Sequence, residues 1–334
     1  MKFTKTLTAV AVALAATTGA AKALDELVVA YFLEWPTPNQ FAQANKLYSE
    51  KLGIPVKWVS FDAGTAMSAA MASGDVHISF SQGVTPFLVA TAAGQDLQIV
   101  DIAVTYSDND NCVVRSELEI TAENVAAELP GKKVAVPLGT AAHSGFLAQM
   151  KHFGIDESSL TIVDMAPSDS AAAFSQPSTD LAMACGWGGS LRTMKQHGNV
   201  LISGAEKEAV VGKVFDVTSI PTSFGEENPE VLAKFLTLTA DMNAMYAADR
   251  APMMEAIAKE AGMDLEGTTA VMDVFGFPDV ATQLSDAWMG GFVAEYLANS
   301  AASLEADGKI TALSDYAPLV NTTYLESAKA MMAK

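Results

Sequence analysis

Basic side chains are scarce: across 334 residues, 20 Lys and Arg stand against 39 Asp and Glu, a formal charge of −19. A surface that acidic repels nucleic-acid phosphates and anionic lipid headgroups, so neither is expected as a partner. Histidine is sparse too, and His77, His143, His152 and His197 fit no HExxH or comparable metal spacing. The two cysteines, Cys112 and Cys185, cannot complete a zinc knuckle alone. No metal and no cofactor are therefore expected. The chain lacks a Gly-x-Ser-x-Gly elbow and a phosphate-binding P-loop, which argues against the common hydrolase and NTPase readings. Internal repeats, low-complexity tracts and Gly/Ser linkers are missing. So, beyond the N-terminus, is any run approaching the 18 apolar residues that span a bilayer.

What is present begins with Lys2 and Lys5, a short Ala-rich apolar run over Leu7–Ala16, and Ala21-Lys22-Ala23 as an A-x-A cleavage site. That pattern is a secretory signal peptide over residues 1–23, with a mature chain from Leu24 released into the periplasm. The residue at the cleavage point is not Cys, so a lipid anchor is not expected. Cleavage leaves 17 basic against 39 acidic side chains, a formal charge of −22 over 311 residues. In an oxidising compartment Cys112 and Cys185 are a candidate disulfide. The alternative is two buried thiols acting as small hydrophobes. With 50% of residues hydrophobic, disorder is excluded and two lobes, each with its own core, are affordable in length.

Periodicity predicts strands at Leu27–Phe32, Val56–Phe61, His77–Phe80 and Leu97–Val104, with helices between them at Pro38–Leu52, Thr65–Ser73 and Thr85–Ala93. The polar run Ser107–Asn111 interrupts the pattern and is expected to be a crossover. A second series follows: strands at Lys133–Pro137, Leu160–Asp164 and Leu181–Ala184, and helices at Ala141–Phe153 and about 169–175. Val200–Ile202 and Val214–Ser219 complete the strands. From Pro229 the chain reads as helical, over Pro229–Ala247, Pro252–Ala261, Ala281–Asp307 and Thr323–Met332. Alternation of strands and helices implies an α/β fold with parallel pairing. A chain that leaves one α/β unit, builds another and returns gives lobe 1 from 24–105 plus 216–334 and lobe 2 from 106–215. The carboxyl ends of both sheets then face one cleft, where a ligand would sit.

The runs Phe61-Asp62-Ala63-Gly64, Met71-Ala72-Ser73-Gly74-Asp75-Val76 and Gly131-Lys132-Lys133-Val134-Ala135-Val136-Pro137 resemble the periplasmic solute-binding proteins for taurine, aliphatic sulfonates and nitrate. Lys151-His152-Phe153-Gly154-Ile155 and Asn228-Pro229-Glu230-Val231 fit the same family. The similarity extends over essentially the whole mature chain. It implies a bilobal periplasmic-binding fold with two crossovers (type II), a small zwitterionic or anionic solute such as taurine, an ABC permease in the inner membrane as partner, and a monomer. The chain departs from the family in two places expected to face the cleft. Glu34-Trp35-Pro36-Thr37-Pro38 is one residue longer than usual, and Cys185-Gly186-Trp187-Gly188-Gly189 replaces a Trp-x-Pro segment.

A sulfonate presents three acceptor oxygens and a delocalised charge, which suit backbone N–H groups and hydroxyls at helix N-termini. Ser81-Gln82-Gly83-Val84-Thr85 and Gly139-Thr140-Ala141-Ala142-His143 each follow a strand, open a helix, and carry a Gly and a hydroxyl at the cap. They nominate Gln82, Gly83 and Thr85 in one lobe and Thr140, Ala141 and His143 in the other. The alternative is two ordinary N-caps holding water, with His143 covering its own first turn. The resemblance places a carboxylate at Asp216, on an otherwise apolar strand, to meet a ligand amine; a hinge salt bridge with a Lys is the competing role. Glu34 is a second candidate acceptor, or a solvated side chain. Trp187, set among glycines, and Trp35 are candidate cleft walls able to attract an ammonium by cation–π contact. Reversible binding with hinge closure is the expected activity. Nitrate, another sulfonate or a sulfate ester are alternative ligands, and a periplasmic enzyme, even one using a Cys112–His143 thiol–imidazole pair, is the alternative class.

Overall fold

The structure, a computed structural model, describes residues Leu24–Ala333; the signal peptide expected over residues 1–23 lies outside them. Eleven strands are described, in two sheets. The first holds β1 (Leu27–Phe32), β2 (Val56–Phe61), β3 (Ile78–Gly83), β4 (Leu97–Tyr106), β10 (Val214–Pro221) and β11 (Phe275–Gly276), in the order β11-β4-β10-β3-β1-β2. The second holds β5 (Asp110–Arg115), β6 (Lys133–Val136), β7 (Thr161–Asp164), β8 (Leu181–Trp187) and β9 (Gly198–Val200), in the order β7-β6-β8-β5-β9. The chain passes to the second sheet over Ser107–Asn109 and returns from β9 to β10.

Burial follows strand position. β3 is buried along its whole length and β8 along all but Trp187, as expected of strands covered by helices on both faces. At the sheet edge, β2 keeps Lys57 and Ser60 exposed, a device that discourages further pairing. Tyr48, Phe87, Ile99, Ile102 and Phe235 are fully buried in the first lobe, and Phe146 and Phe174 in the second.

Pairing is mixed rather than parallel. β1 runs parallel to β2 and β3, and β6 to β7 and β8, but β10 is antiparallel to β3 and β4, and β5 to β8 and β9. The reason lies in the crossovers: a strand that enters a sheet from the opposite lobe runs against the strands already there. The helix expected over Pro38–Leu52 is two helices, Asn39–Ala44 and Leu47–Leu52, because Lys46 takes a left-handed conformation (φ 57°) between them. The helix expected over Ala281–Asp307 shortens to Val280–Gln283 and Phe292–Ala306. β5 occupies part of the polar run read as a crossover; Asp110 and Asn111 are buried there, with their polar atoms bonded to Lys207 and to the Ile202 carbonyl. Among the described residues no helix is long and apolar enough to cross a membrane.

Candidate functional site

Between the lobes lies a cavity of about 350 Å³, counting the part open to solvent. Phe32, Trp35, Gly83, Tyr106 and Asp216 line it from the first lobe, and Asp110, Thr140, Ala141 and Trp187 from the second. The topology explains the convergence. Phe32, Gly83 and Tyr106 end strands of the first sheet and Trp187 ends β8. Asp216 and Asp110 stand near the start of antiparallel strands that enter at the same ends. Register sets Asp216 beside Gly83 and Asp110 beside Trp187.

Among the described residues four helix N-termini meet at this cavity, one of them that of Gly188–Lys195, which starts after Trp187 without a side-chain cap. Val84–Ala92 starts after Gly83 and Gly64–Ser73 after Ala63, and neither has a side-chain cap. Ala141–His152 starts after Thr140, whose hydroxyl accepts from His143 N at 3.4 Å and donates to the Pro137 carbonyl at 2.6 Å. The early N–H groups of a helix carry partial positive charge and point outward. Sequence spacing identified two of these turns as anion sites; the Gly64 turn lies in a run that carries only the family resemblance, and the Gly188 turn in the Gly-rich segment around Trp187. A Cβ at Gly64 would stand 2.7 Å from Pro86, so no larger residue fits.

Asp216 is 3% exposed. Its Oδ2 accepts from Ser81 Oγ at 2.9 Å and its Oδ1 from the Tyr106 hydroxyl at 3.2 Å. Trp35 donates its indole N–H to Ser81 Oγ at 2.9 Å, which leaves the Ser81 proton directed to the carboxyl. Ser81 holds φ at 62°, a left-handed conformation uncommon outside glycine. Burial pushes the Asp216 carboxyl up to about 8; the Ser81 and Tyr106 hydrogen bonds oppose the shift and Asp110 adds to it. The Lys partner considered for Asp216 goes instead to Asp110, whose Oδ1 is 2.6 Å from Lys207 Nζ.

Trp35, Gly83, Thr140, Ala141, Trp187 and Asp216 thus share one cavity. Four nominated residues point elsewhere. Gln82 spends its amide on the Gly64 carbonyl, Ser68 and Ser219, bracing the first lobe internally. Thr85 bonds Ser144 across the cleft at 2.8 Å. His143 accepts from the Gly139 backbone N–H through Nδ1, and burial lowers its pKa. Glu34 is exposed with φ at 56°, and its carboxylate rests against Gly189, where a Cβ would come within 2.0 Å of Oε2. Its carbonyl stands 3.0 Å from the Cβ position of Gly188. The segments around Glu34 and around Gly188-Gly189 are therefore in contact with each other across the cleft.

Sequence reasoning missed Phe32, whose ring lies 6.3 Å from that of Trp187, and also Ser81, Tyr106 and Asp110. Only Ser81 carried a local signal, its place in the turn before Gly83.

Residues 39–251 match the NMT1/THI5-like family. Over 296 residues the chain is 26% identical to the taurine-binding periplasmic protein of Escherichia coli (strain K12), covering 86% of this chain and 89% of that one. The alkanesulfonate-binding protein of Xanthomonas axonopodis pv. citri, solved bound to MOPS, superposes with a TM-score of 0.72 at 18% identity, over 90% of this chain and 99% of that one. A desulfurization enzyme superposes with a TM-score of 0.66 at 13% identity, over 92% of this chain and 100% of that one. These structural matches establish the bilobal periplasmic-binding-protein fold.

Proposed function

Since this chain belongs to the NMT1/THI5-like family, we propose that it is the periplasmic solute-binding component of an ABC importer and that its solute is taurine, 2-aminoethanesulfonate. One observation carries the reading: helix N-termini from both lobes and a buried carboxyl with no cationic partner among the described residues line the same small cavity. The sulfonate oxygens accept from the N–H groups of the helix starts, and the ammonium meets Asp216. Phe32 and Trp187 cover the two methylenes. Contacts made by both lobes to one solute stabilise the closed form, and the permease reads that form. Residues 1–23 serve as the export signal, and the carrier acts as a monomer.

The likeness to taurine- and alkanesulfonate-binding proteins supports the ligand class. Asp216 favours an aminosulfonate over nitrate or an amine-free sulfonate, since neither brings a cation to it. The fold shared with a desulfurization enzyme favours turnover of a sulfur compound as a second reading. A Cys112–His143 pair does not supply its nucleophile, because Cys112 is joined to Cys185.

Isothermal titration at pH 8 with taurine, ethanesulfonate and nitrate tests the carrier. Taurine binds tightest, and Asp216→Asn weakens it by roughly 10- to 100-fold, the loss of one charge-assisted hydrogen bond. Equal loss for ethanesulfonate removes the ammonium role, and silence with taurine sinks the ligand assignment. Product formation from a bound sulfonate, seen by mass spectrometry, replaces the carrier with an enzyme.

A further inference from the structure

Two acids line the cavity, and their surroundings differ. Asp110 has its counter-ion in Lys207, which is 2% exposed. All three ammonium protons of Lys207 are engaged, by Asp110 Oδ1, the Asp110 carbonyl and the Ser107 carbonyl, each at 2.6 Å. Nothing is left over for Asp216, whose carboxyl among the described residues meets the hydroxyls of Ser81 and Tyr106. Neutral donors supply hydrogen bonds but no charge. A carboxyl so enclosed holds a proton or pairs with a cation.

The groups facing Asp216 come from four directions. β3 presents Ser81 and, past Gly83, the N-terminus of helix Val84–Ala92; β4 presents Tyr106; β5 presents Asp110 with Lys207 behind it. The hydroxyls and the helix start favour the anion, whereas burial and the Asp110 charge disfavour it. Burial is the largest of these, and it raises the carboxyl to about 8.

Resting on the aminosulfonate reading above, we propose that Asp216 exchanges its proton for the ligand's ammonium, so that pH selects between aminosulfonates and amine-free sulfonates. In the exchange the Asp216 O–H bond breaks, the proton leaves to solvent, and the carboxylate pairs with the ammonium. An amine-free sulfonate binds with the proton still in place. Either way the cavity gains the same net charge, the one negative charge of a sulfonate.

Titrating the intact protein with taurine and with ethanesulfonate from pH 5.5 to 8.5, each in two buffers of different ionisation heat, measures both affinity and protons released. The taurine-to-ethanesulfonate affinity ratio should rise roughly tenfold per pH unit across the range, below about 8 because taurine needs the carboxylate and above it because ethanesulfonate needs the proton. Taurine should release about one proton at pH 6 and ethanesulfonate none. In Asp216→Asn both the pH dependence of the ratio and the proton release disappear. Tight taurine binding with a constant ratio and no proton release overturns the exchange while leaving the aminosulfonate reading intact. A pH-dependent ratio that survives in Asp216→Asn overturns it too, by moving the proton to another group. Failure of both sulfonates to bind at any pH sinks the aminosulfonate reading and the exchange with it.

Discussion

Reducing the Cys112–Cys185 bond should weaken the second lobe without touching the ligand site. The two residues face each other in register on antiparallel β5 and β8, both buried in the second lobe's core. The bond closes a loop with a sequence separation of 73, which contains β6, β7 and three of the lobe's helices. Restricting an unfolded loop of that length is worth about 4.4 kcal/mol by chain entropy, and measured bonds typically deliver about 2–4 kcal/mol. The β5–β8 hydrogen bonds and the surrounding core persist in the reduced protein, so nearly all of the effect lies in the unfolded chain. For a lobe of about 100 residues, 2–4 kcal/mol corresponds to a fall in melting temperature of roughly 10–20 °C. Calorimetry with and without reductant measures it, with thiol titration of the denatured, unreduced protein as the control for an intact bond. Well below the transition, ligand affinity should change by less than about threefold. A shift under about 2 °C, despite a fully formed bond, would refute the loop-entropy reasoning.

Three further outcomes follow from the same geometry. Gly188→Ala places a Cβ 3.0 Å from the Glu34 carbonyl in a left-handed conformation (φ 57°), so closure is impeded and affinity falls by roughly tenfold or more. Gly189→Ala only pushes aside the exposed Glu34 carboxylate and costs little; equal effects in the two variants would show that closure does not bring these segments together. Trp187→Ala should weaken binding while leaving the melting temperature within a few degrees, because the ring is only half-buried at the cavity; unchanged affinity assigns it to packing. The ligand-free protein should lose stability as pH rises from 4 to 8: Asp216 goes from 3.8 when unfolded to about 8 when folded, so its stabilising contribution is complete below the lower value and lost through the upper one. His143, lowered by burial, adds a separate loss on the acid side, below its unfolded value of 6.5. Scanning calorimetry of Asp216→Asn against pH checks the first: its slope between pH 6.5 and 8 should vanish.

Much of this molecule was legible because its strands are short apolar runs separated by turn residues. β1 and β2 lie where periodicity puts them, and the turns at Gly83 and Thr140 were recognisable as a strand, a Gly or hydroxyl, and a helix. Direction of pairing was not legible, since it depends on which lobe a strand enters from. Pairings across long separations left no trace either. Lys207 meets Asp110 at a separation of 97 residues, and Phe32 meets Trp187 from the opposite sheet. Gln82 and Thr85 show the opposite failure. Their positions were right, but neighbours inside the lobe or across the cleft claimed their polar groups first.

The central place of β10 has a consequence for the order of events in time. β10 fills the gap between β3 and β4, yet the ribosome makes it only after the entire second lobe. Until residue 214 is available, β3 and β4 each present an unpaired edge in the middle of an unfinished sheet. The second lobe, whose strands are contiguous from β5 to β9, has no such wait and is free to fold first. Contacts as distant as Gly83 with Asp216 close after the local ones, because long loops are entropically slow to shut. Pulse-labelled hydrogen exchange during refolding should therefore find amides of β6 and β8 protected before those of β3 and β4. The ligand cavity, bounded by both, therefore waits for β10 to close that gap.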